Sequence, residues 1–176
     1  AESIIMGSYA LGSGTSTNNI SLGSYAGESN VDTANSIYLG YNTGGDVTTG
    51  DNNILIGHQA ANSLTTGSNN LIIGYDVEAP SNTGSNQLNI GNLIFSQGVD
   101  GAGTTLSSGN IGIGTTTPNY KLDVYGTAGI TGQLSMVGTA SNIALGSNYL
   151  SGDGGDEGIY VDSVGRVGIG TSTPDA

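Results

Sequence analysis

Short apolar steps recur along the first half of the chain, each closed by a glycine. They are Ile4-Ile5-Met6-Gly7, Ile20-Ser21-Leu22-Gly23, Ile37-Tyr38-Leu39-Gly40, Ile54-Leu55-Ile56-Gly57, Leu71-Ile72-Ile73-Gly74 and Leu88-Asn89-Ile90-Gly91, with glycine spacings of 16, 17, 17, 17 and 17. The first and third positions of each step are always Ile, Leu or Met, and the middle one varies. Apolar residues two apart over so short a run predict a half-buried β-strand of about three residues.

Further columns keep the same period. Three residues after the glycine stand Ala10, Ala26, Thr43, Ala60 and Val77, small enough for an inward position in a narrow core. Ahead of the next strand stand Asn18-Asn19, Asn35-Ser36, Asn52-Asn53, Asn69-Asn70 and Asn86-Gln87. Asn tolerates left-handed backbone and bonds its own main chain, so this column predicts a corner. Thr-Gly steps at Thr49-Gly50, Thr66-Gly67 and Thr83-Gly84 mark the same corner.

A unit this small cannot bury its apolar side alone. Stacking the units pairs each strand with those above and below and buries the Ile, Leu and Met positions as a continuous strip. The pattern therefore predicts an all-β fold: a parallel β-solenoid, or β-roll, of about six 17-residue rungs over residues 1–98, with asparagine ladders along the stack. No 3.6-residue apolar period occurs, so no helix is expected.

Residues 99–176 read as a smaller β-rich connector or cap. Gly98–Gly109 is a Gly/Ser/Thr-rich junction. Asn110-Ile111-Gly112-Ile113-Gly114-Thr115-Thr116-Thr117-Pro118 then returns 56 residues later as Arg166-Val167-Gly168-Ile169-Gly170-Thr171-Ser172-Thr173-Pro174. The first copy runs into an alternating strand, Tyr120 to Gly126; the second stops at Asp175-Ala176. Between them lie the step Ile143-Ala144-Leu145-Gly146 and a hairpin with arms Ile159–Val161 and Arg166–Ile169, turning at Asp162–Gly165.

Composition narrows the function. Glycine is 32 of 176 residues, Lys and Arg together only 2, Asp and Glu 14, and the net charge −12. Two basic residues cannot form a phosphate-binding surface, so nucleic acid is excluded. No apolar run approaches the ~18 residues that membrane insertion requires. Cysteine is absent, which removes disulfides and thiolate chemistry. Lys121 and Arg166 are the only tryptic sites, which suits a chain exposed to extracellular proteases.

Candidate chemistry is sparse. His58 is the only histidine; it falls in a variable polar column with Ser8, Ser24, Tyr41, Tyr75 and Asn92 and reads as a surface residue. No nucleophile-elbow motif accompanies it, so no catalytic residue and no enzymatic activity are expected. The loop Gly152–Gly158 is the densest acidic stretch; with Asp162, its Asp153, Asp156 and Glu157 are the candidate ligands for calcium, the one cofactor suggested. Tyr9, Tyr25, Tyr38, Tyr41 and Tyr75 recur near the strand glycines. Of these, Tyr9, Tyr25 and Tyr41 are candidate contacts for a cell-surface glycan.

The Asn-Asn-Ile-x-Leu-Gly-x-x-Ala run resembles the head repeats of trimeric autotransporter adhesins, which form a β-roll. The Gly-Ile-Gly-Thr-Thr-Thr-Pro segment, continuing to Lys121-Leu122-Asp123-Val124, resembles a junction motif of phage tail fibres and related surface fibres. The resemblance implies an extracellular, structural or adhesive protein, commonly a homotrimer. We therefore expect a non-enzymatic subunit of an extracellular fibre or filament that assembles with itself. A head-to-tail contact would join the first strand (Glu2, Ile4, Met6) to the second motif (Gly168, Ile169, Gly170, Pro174). The alternative is an adhesive, glycan-binding module of a trimeric surface or tail fibre.

Overall fold

The computed structural model describes residues 2–131, 149–150, 159–161 and 166–169, and among them there is no helix. The chain forms two compact units, dividing after Ala128.

The first unit is the β-solenoid. Strands β1 (Ile4–Met6), β2 (Ile20–Leu22), β3 (Ile37–Leu39), β4 (Ile54–Ile56), β5 (Leu71–Ile73) and β6 (Gln87–Ile90) pair parallel in that order. Ile4, Ile20, Ile37, Ile54, Leu71 and Leu88 lie opposite one another, so the six strands close about five turns. Main-chain bonds join each turn to the next, as from Ile54 N–H to Asn70 O at 2.8 Å and Gly57 N–H to Leu39 O at 2.8 Å. The asparagine corner is left-handed: Asn18, Asn35, Asn52, Asn69 and Asn86 have φ of 55°, 57°, 57°, 60° and 60°. The next column carries the ladder, with Asn53 Oδ1 accepting from Asn70 N–H and Asn70 Oδ1 from Gln87 N–H, each at 2.9 Å.

The strands face the opposite way from the expected one. The middle column is inside: Ser21, Tyr38, Leu55, Ile72 and Asn89 are buried, while the flanking Ile, Leu and Met side chains lie on the outer face. The reason is room. A turn of 17 residues encloses too narrow a lumen for two columns of large side chains, so a three-residue strand sends one column in and two out. The small column after the glycine does point inward, with Ala26, Thr43, Ala60 and Val77 buried. Val47 and Leu64 belong to the same buried cluster.

Size changes along the inner column are matched locally. Tyr38 fits because Gly44 has no side chain; a Cβ there would meet the Tyr38 ring at 2.8 Å. The lumen is also partly polar, and its amides are spent on the main chain, as in Asn30 Nδ2 to Val47 O at 2.7 Å and Asn53 Nδ2 to Gly67 O at 2.8 Å. Among the described residues, two buried polar atoms, Tyr38 Oη and Asn30 Oδ1, make no well-formed hydrogen bond; burial pushes the Tyr38 phenol above its usual pKa, against the opposing pull of Ser36, Thr33 and Asn30. An unpartnered buried hydroxyl costs about 1–3 kcal/mol. Tyr38→Phe is therefore expected to raise the urea unfolding midpoint; a fall would mean that the hydroxyl has a partner in solution.

After β6 the chain reverses. β7 (Ile94–Gln97) pairs antiparallel with β6, β8 (Asn110–Ile113) antiparallel with β7, and β9 (Leu122–Val124) parallel with β8. The sheet thus continues beyond the repeat region as one nine-stranded sheet. Phe95 on β7 is buried.

The second unit contains β10 (Tyr149–Leu150), β11 (Ile159–Val161) and β12 (Val167–Ile169), antiparallel in that order. The two arms of the expected hairpin are β11 and β12. Asp153, Asp156, Glu157, Asp162, Gly170 and Pro174, and the Ile143–Gly146 step, lie outside the described residues.

Candidate functional site

Two features of the solenoid surface stand out. One is the outward face of the parallel sheet. Its first column is Ile4, Ile20, Ile37, Ile54, Leu71 and Leu88, and its second Met6, Leu22, Leu39, Ile56, Ile73 and Ile90, with no charged residue in either. Each residue is half-buried or exposed, from partial cover in the middle rungs to 68% exposure at Met6. At a strand spacing of ~4.8 Å, six strands make a face roughly 24–29 Å long.

The other feature is a ladder of aromatic rings at the corner that leaves each strand. Tyr9 stacks on Tyr25 (centroids 5.3 Å apart, planes at 12°), and Tyr25 meets Tyr41 edge-on (5.7 Å, 74°). Tyr41 stacks on His58 (5.2 Å, 21°) and His58 on Tyr75 (5.2 Å, 18°). Five successive rungs therefore each contribute one ring. His58 is indeed at the surface, yet it is a stacked member of this ladder, which the reading of its column as merely polar had missed.

Backbone geometry sets the ladder. The second residue after each glycine is left-handed (Tyr9, Tyr25, Asn42, Gln59 and Asp76, φ 50–61°). In rungs two to five its N–H bonds the first residue after the glycine of the rung before, as from Gln59 to Tyr41 O and Asp76 to His58 O, each at 2.8 Å. The first two rings sit on the second position and the last three on the first. The edge-on step falls where the position changes. Tyr38, grouped with the exposed tyrosines on sequence, is fully buried and belongs to the core.

The ladder limits what these rings can bind. A sugar packs its C–H face on a free ring face, but here Tyr9 and Tyr25, Tyr41 and His58, and His58 and Tyr75 are stacked face to face. Ring edges and hydroxyls remain, with the face left unstacked at the edge-on Tyr25–Tyr41 step and the outer faces of the two end rings, Tyr9 and Tyr75, which are 71% and 75% exposed. Tyr9, Tyr25 and Tyr41 thus lie together, as parts of a column rather than as separate platforms.

Ionisable chemistry is thin among the described residues. No group of three or more His, Asp or Glu side chains is arranged to hold a metal ion, and no helix is long and apolar enough to cross a membrane. Burial raises the pKa of Glu78, and Asp76 and Asp46 nearby add to the rise, while Ser63 hydrogen bonds oppose it. Lys121 is held by main-chain carbonyls, donating to Ser108 O at 2.6 Å and Gly109 O at 3.1 Å. An open cleft of about 430 Å³ beside β7 and β8 is lined by Gln97, Ser108, Asn110, Thr116, Thr117 and Asn119, which offer amides and hydroxyls but no titratable group.

Of the assembly residues read from sequence, Glu2, Ile4 and Met6 are exposed at one end of the solenoid. Gly168 and Ile169 lie on β12, where Ile169 is 78% exposed and Gly168 buried. Comparison with protein-family models, with curated proteins and with solved structures returned no match.

Proposed function

We propose that the chain is a non-enzymatic structural subunit of an extracellular fibre or filament that assembles with copies of itself. The supporting observation is the outward apolar face: two uncharged columns of Ile, Leu and Met running along six strands. Contiguous exposed apolar surface on this scale marks a contact surface. A second copy is the partner best matched to it, because its columns have the same axial repeat and meet along their whole length. The face fits either a trimer, with three such faces turned inward, or side-by-side rods in a filament. The glycan-binding alternative has less support, since most ring faces of the tyrosine ladder are already stacked.

Charge sets the conditions. With a net charge of −12, copies repel one another, and this repulsion acts over ~30 Å at 0.01 M salt but only ~8 Å at 0.15 M. Sedimentation velocity over this salt range is expected to show self-association that strengthens as salt rises. Association that weakens with salt would mean that ion pairs, not the apolar face, hold the copies together. A monomer at every salt and concentration would refute the proposal.

A further inference from the structure

The two antiparallel groups of strands are built to one plan. In the first unit, Ile94, Phe95 and Ser96 on β7 lie opposite Ile113, Gly112 and Ile111 on β8. In the second, Ile159, Tyr160 and Val161 on β11 lie opposite Ile169, Gly168 and Val167 on β12. The preceding strand repeats as well: Asn89 and Ile90 face Phe95 and Ile94, as Tyr149 and Leu150 face Tyr160 and Ile159. In the first unit a further strand, β9, lies parallel on the free edge of β8, with Leu122, Asp123 and Val124 opposite Ile111, Gly112 and Ile113. Beside β12 that place holds no strand among the described residues. Val167 and Ile169, at the positions of Ile111 and Ile113, are 62% and 78% exposed.

A strand suited to that place is β1. It is an edge strand with the same apolar-x-apolar pattern as Leu122-Asp123-Val124. Its hydrogen-bonding parity also fits. Ile4 N–H donates to Asn19 O at 2.9 Å and Met6 O accepts from Gly23 N–H at 2.8 Å, so both residues turn their peptide groups toward β2. In a parallel ladder the residue between them turns its N–H and C=O the other way, so those of Ile5 face the open edge. Asp123 has this orientation toward β8, where Ile111 N–H bonds Lys121 O and Tyr125 N–H bonds Ile113 O, each at 2.9 Å. Ile5 is 48% exposed, whereas its counterparts in the next five rungs are buried.

We propose that β1 of one copy adds to β12 of another as a parallel strand, with Ile4 opposite Val167, Ile5 opposite Gly168 and Met6 opposite Ile169. The inference rests on the self-assembly proposed above and gives it an axial contact. The contact is heterologous, donor edge to acceptor edge, so it leaves one of each free at the ends and propagates. Val167 N–H then donates to Ser3 O and Gly7 N–H to Ile169 O, by the pattern of β8 and β9.

Cysteine pairs test the register, because the chain has no cysteine of its own. Met6→Cys with Ile169→Cys places the two sulfurs on directly opposed residues, within disulfide reach. Ile4→Cys with Ile169→Cys keeps the same face but lies two residues out, roughly 6.7 Å along the strand. Met6→Cys with Val124→Cys tests the free edge of β9 instead. Under mild oxidation the first pair is expected to give a series of covalent oligomers on non-reducing gels, in at least tenfold higher yield than the other two. Preferential linking of the Val124 pair, of the out-of-register pair, or within one chain would overturn the inference. Assembly seen by sedimentation without linking of the first pair would overturn it too, while leaving self-assembly standing. Absence of any assembly would instead refute the proposed function.

Discussion

Gly57→Val is expected to abolish the folded solenoid. Gly57 has φ +129°, a backbone conformation that side chains rarely adopt, and a Cβ there would lie 2.0 Å from Gly74 O on the next rung. The strained backbone alone costs about 1–3 kcal/mol, and a β-branched residue is least tolerant of positive φ. The clash adds to this, because the contacted atom is main chain and cannot rotate away. Relief requires the rungs to part, which would break the bond from Gly74 N–H to Ile56 O at 2.9 Å. A domain is stable by only about 5–15 kcal/mol in total. Circular dichroism should therefore show loss of β-structure or a large fall in the urea midpoint. Gly126→Val, at a glycine of similar φ (+144°) with nothing within 4 Å of its Cβ position, isolates the effect. It shares the strained backbone but has no neighbouring rung to displace, so it should be markedly milder. Equal damage from both would mean that backbone strain, not rung contact, decides.

Leu39→Asp combined with Ile54→Asp is expected to abolish side-by-side association through the proposed apolar face while leaving the fold and the proposed β1–β12 contact intact. Both side chains point outward from adjacent strands, at 41% and 38% exposure, so the monomer gives up little packing. The loss of strand propensity is about 1 kcal/mol or less per site. In an assembled face the same carboxylates would be desolvated without a partner, which costs several kcal/mol. Each 1.4 kcal/mol is tenfold in affinity, so the dissociation constant should rise by at least 100-fold. Sedimentation equilibrium alongside urea unfolding separates the two effects. Unchanged association in the folded double variant would remove the apolar face from the assembly.

The solenoid was legible because its period is carried by glycine, asparagine and strand residues together. Gly7 to Gly91 and Asn18 to Asn86 mark two corners, and no helical pattern competes. The inward face was not legible in the same way. Period two separates the two faces of a strand but does not say which is inside, and Ile at both ends of a step suggested the core. The deciding clue was the varied middle column: Ser21, Tyr38 and Asn89 look polar, yet the lumen has main-chain carbonyls and glycine gaps to receive them. The aromatic ladder was hidden for another reason. Tyr9 and Tyr25 stand two residues after the glycine, and Tyr41, His58 and Tyr75 stand one after it, so alignment by residue number splits one column into two. The second hairpin, β11–β12, was plain on sequence, as was the recurrence of Gly112-Ile113 as Gly168-Ile169; its counterpart β7–β8 was not, because Ile94–Gln97 carries no repeat of its own, and only the structure shows that the two hairpins share a register.

The shorter first spacing shows how such a chain tolerates change in length. Ile4 still faces Ile20, sixteen residues away, where later rungs use seventeen. Gly12 N–H bonds Gly27 O, fifteen residues on, while Thr15 N–H bonds Val31 O, sixteen on. The missing residue is thus absorbed at the Gly12-Ser13-Gly14 corner, away from the sheet. Insertions and deletions confined to that corner should be silent in the strands, and whole turns can be gained or lost by duplication without disturbing their neighbours. Rod length then becomes a countable, heritable trait, a molecular ruler graduated in single repeats.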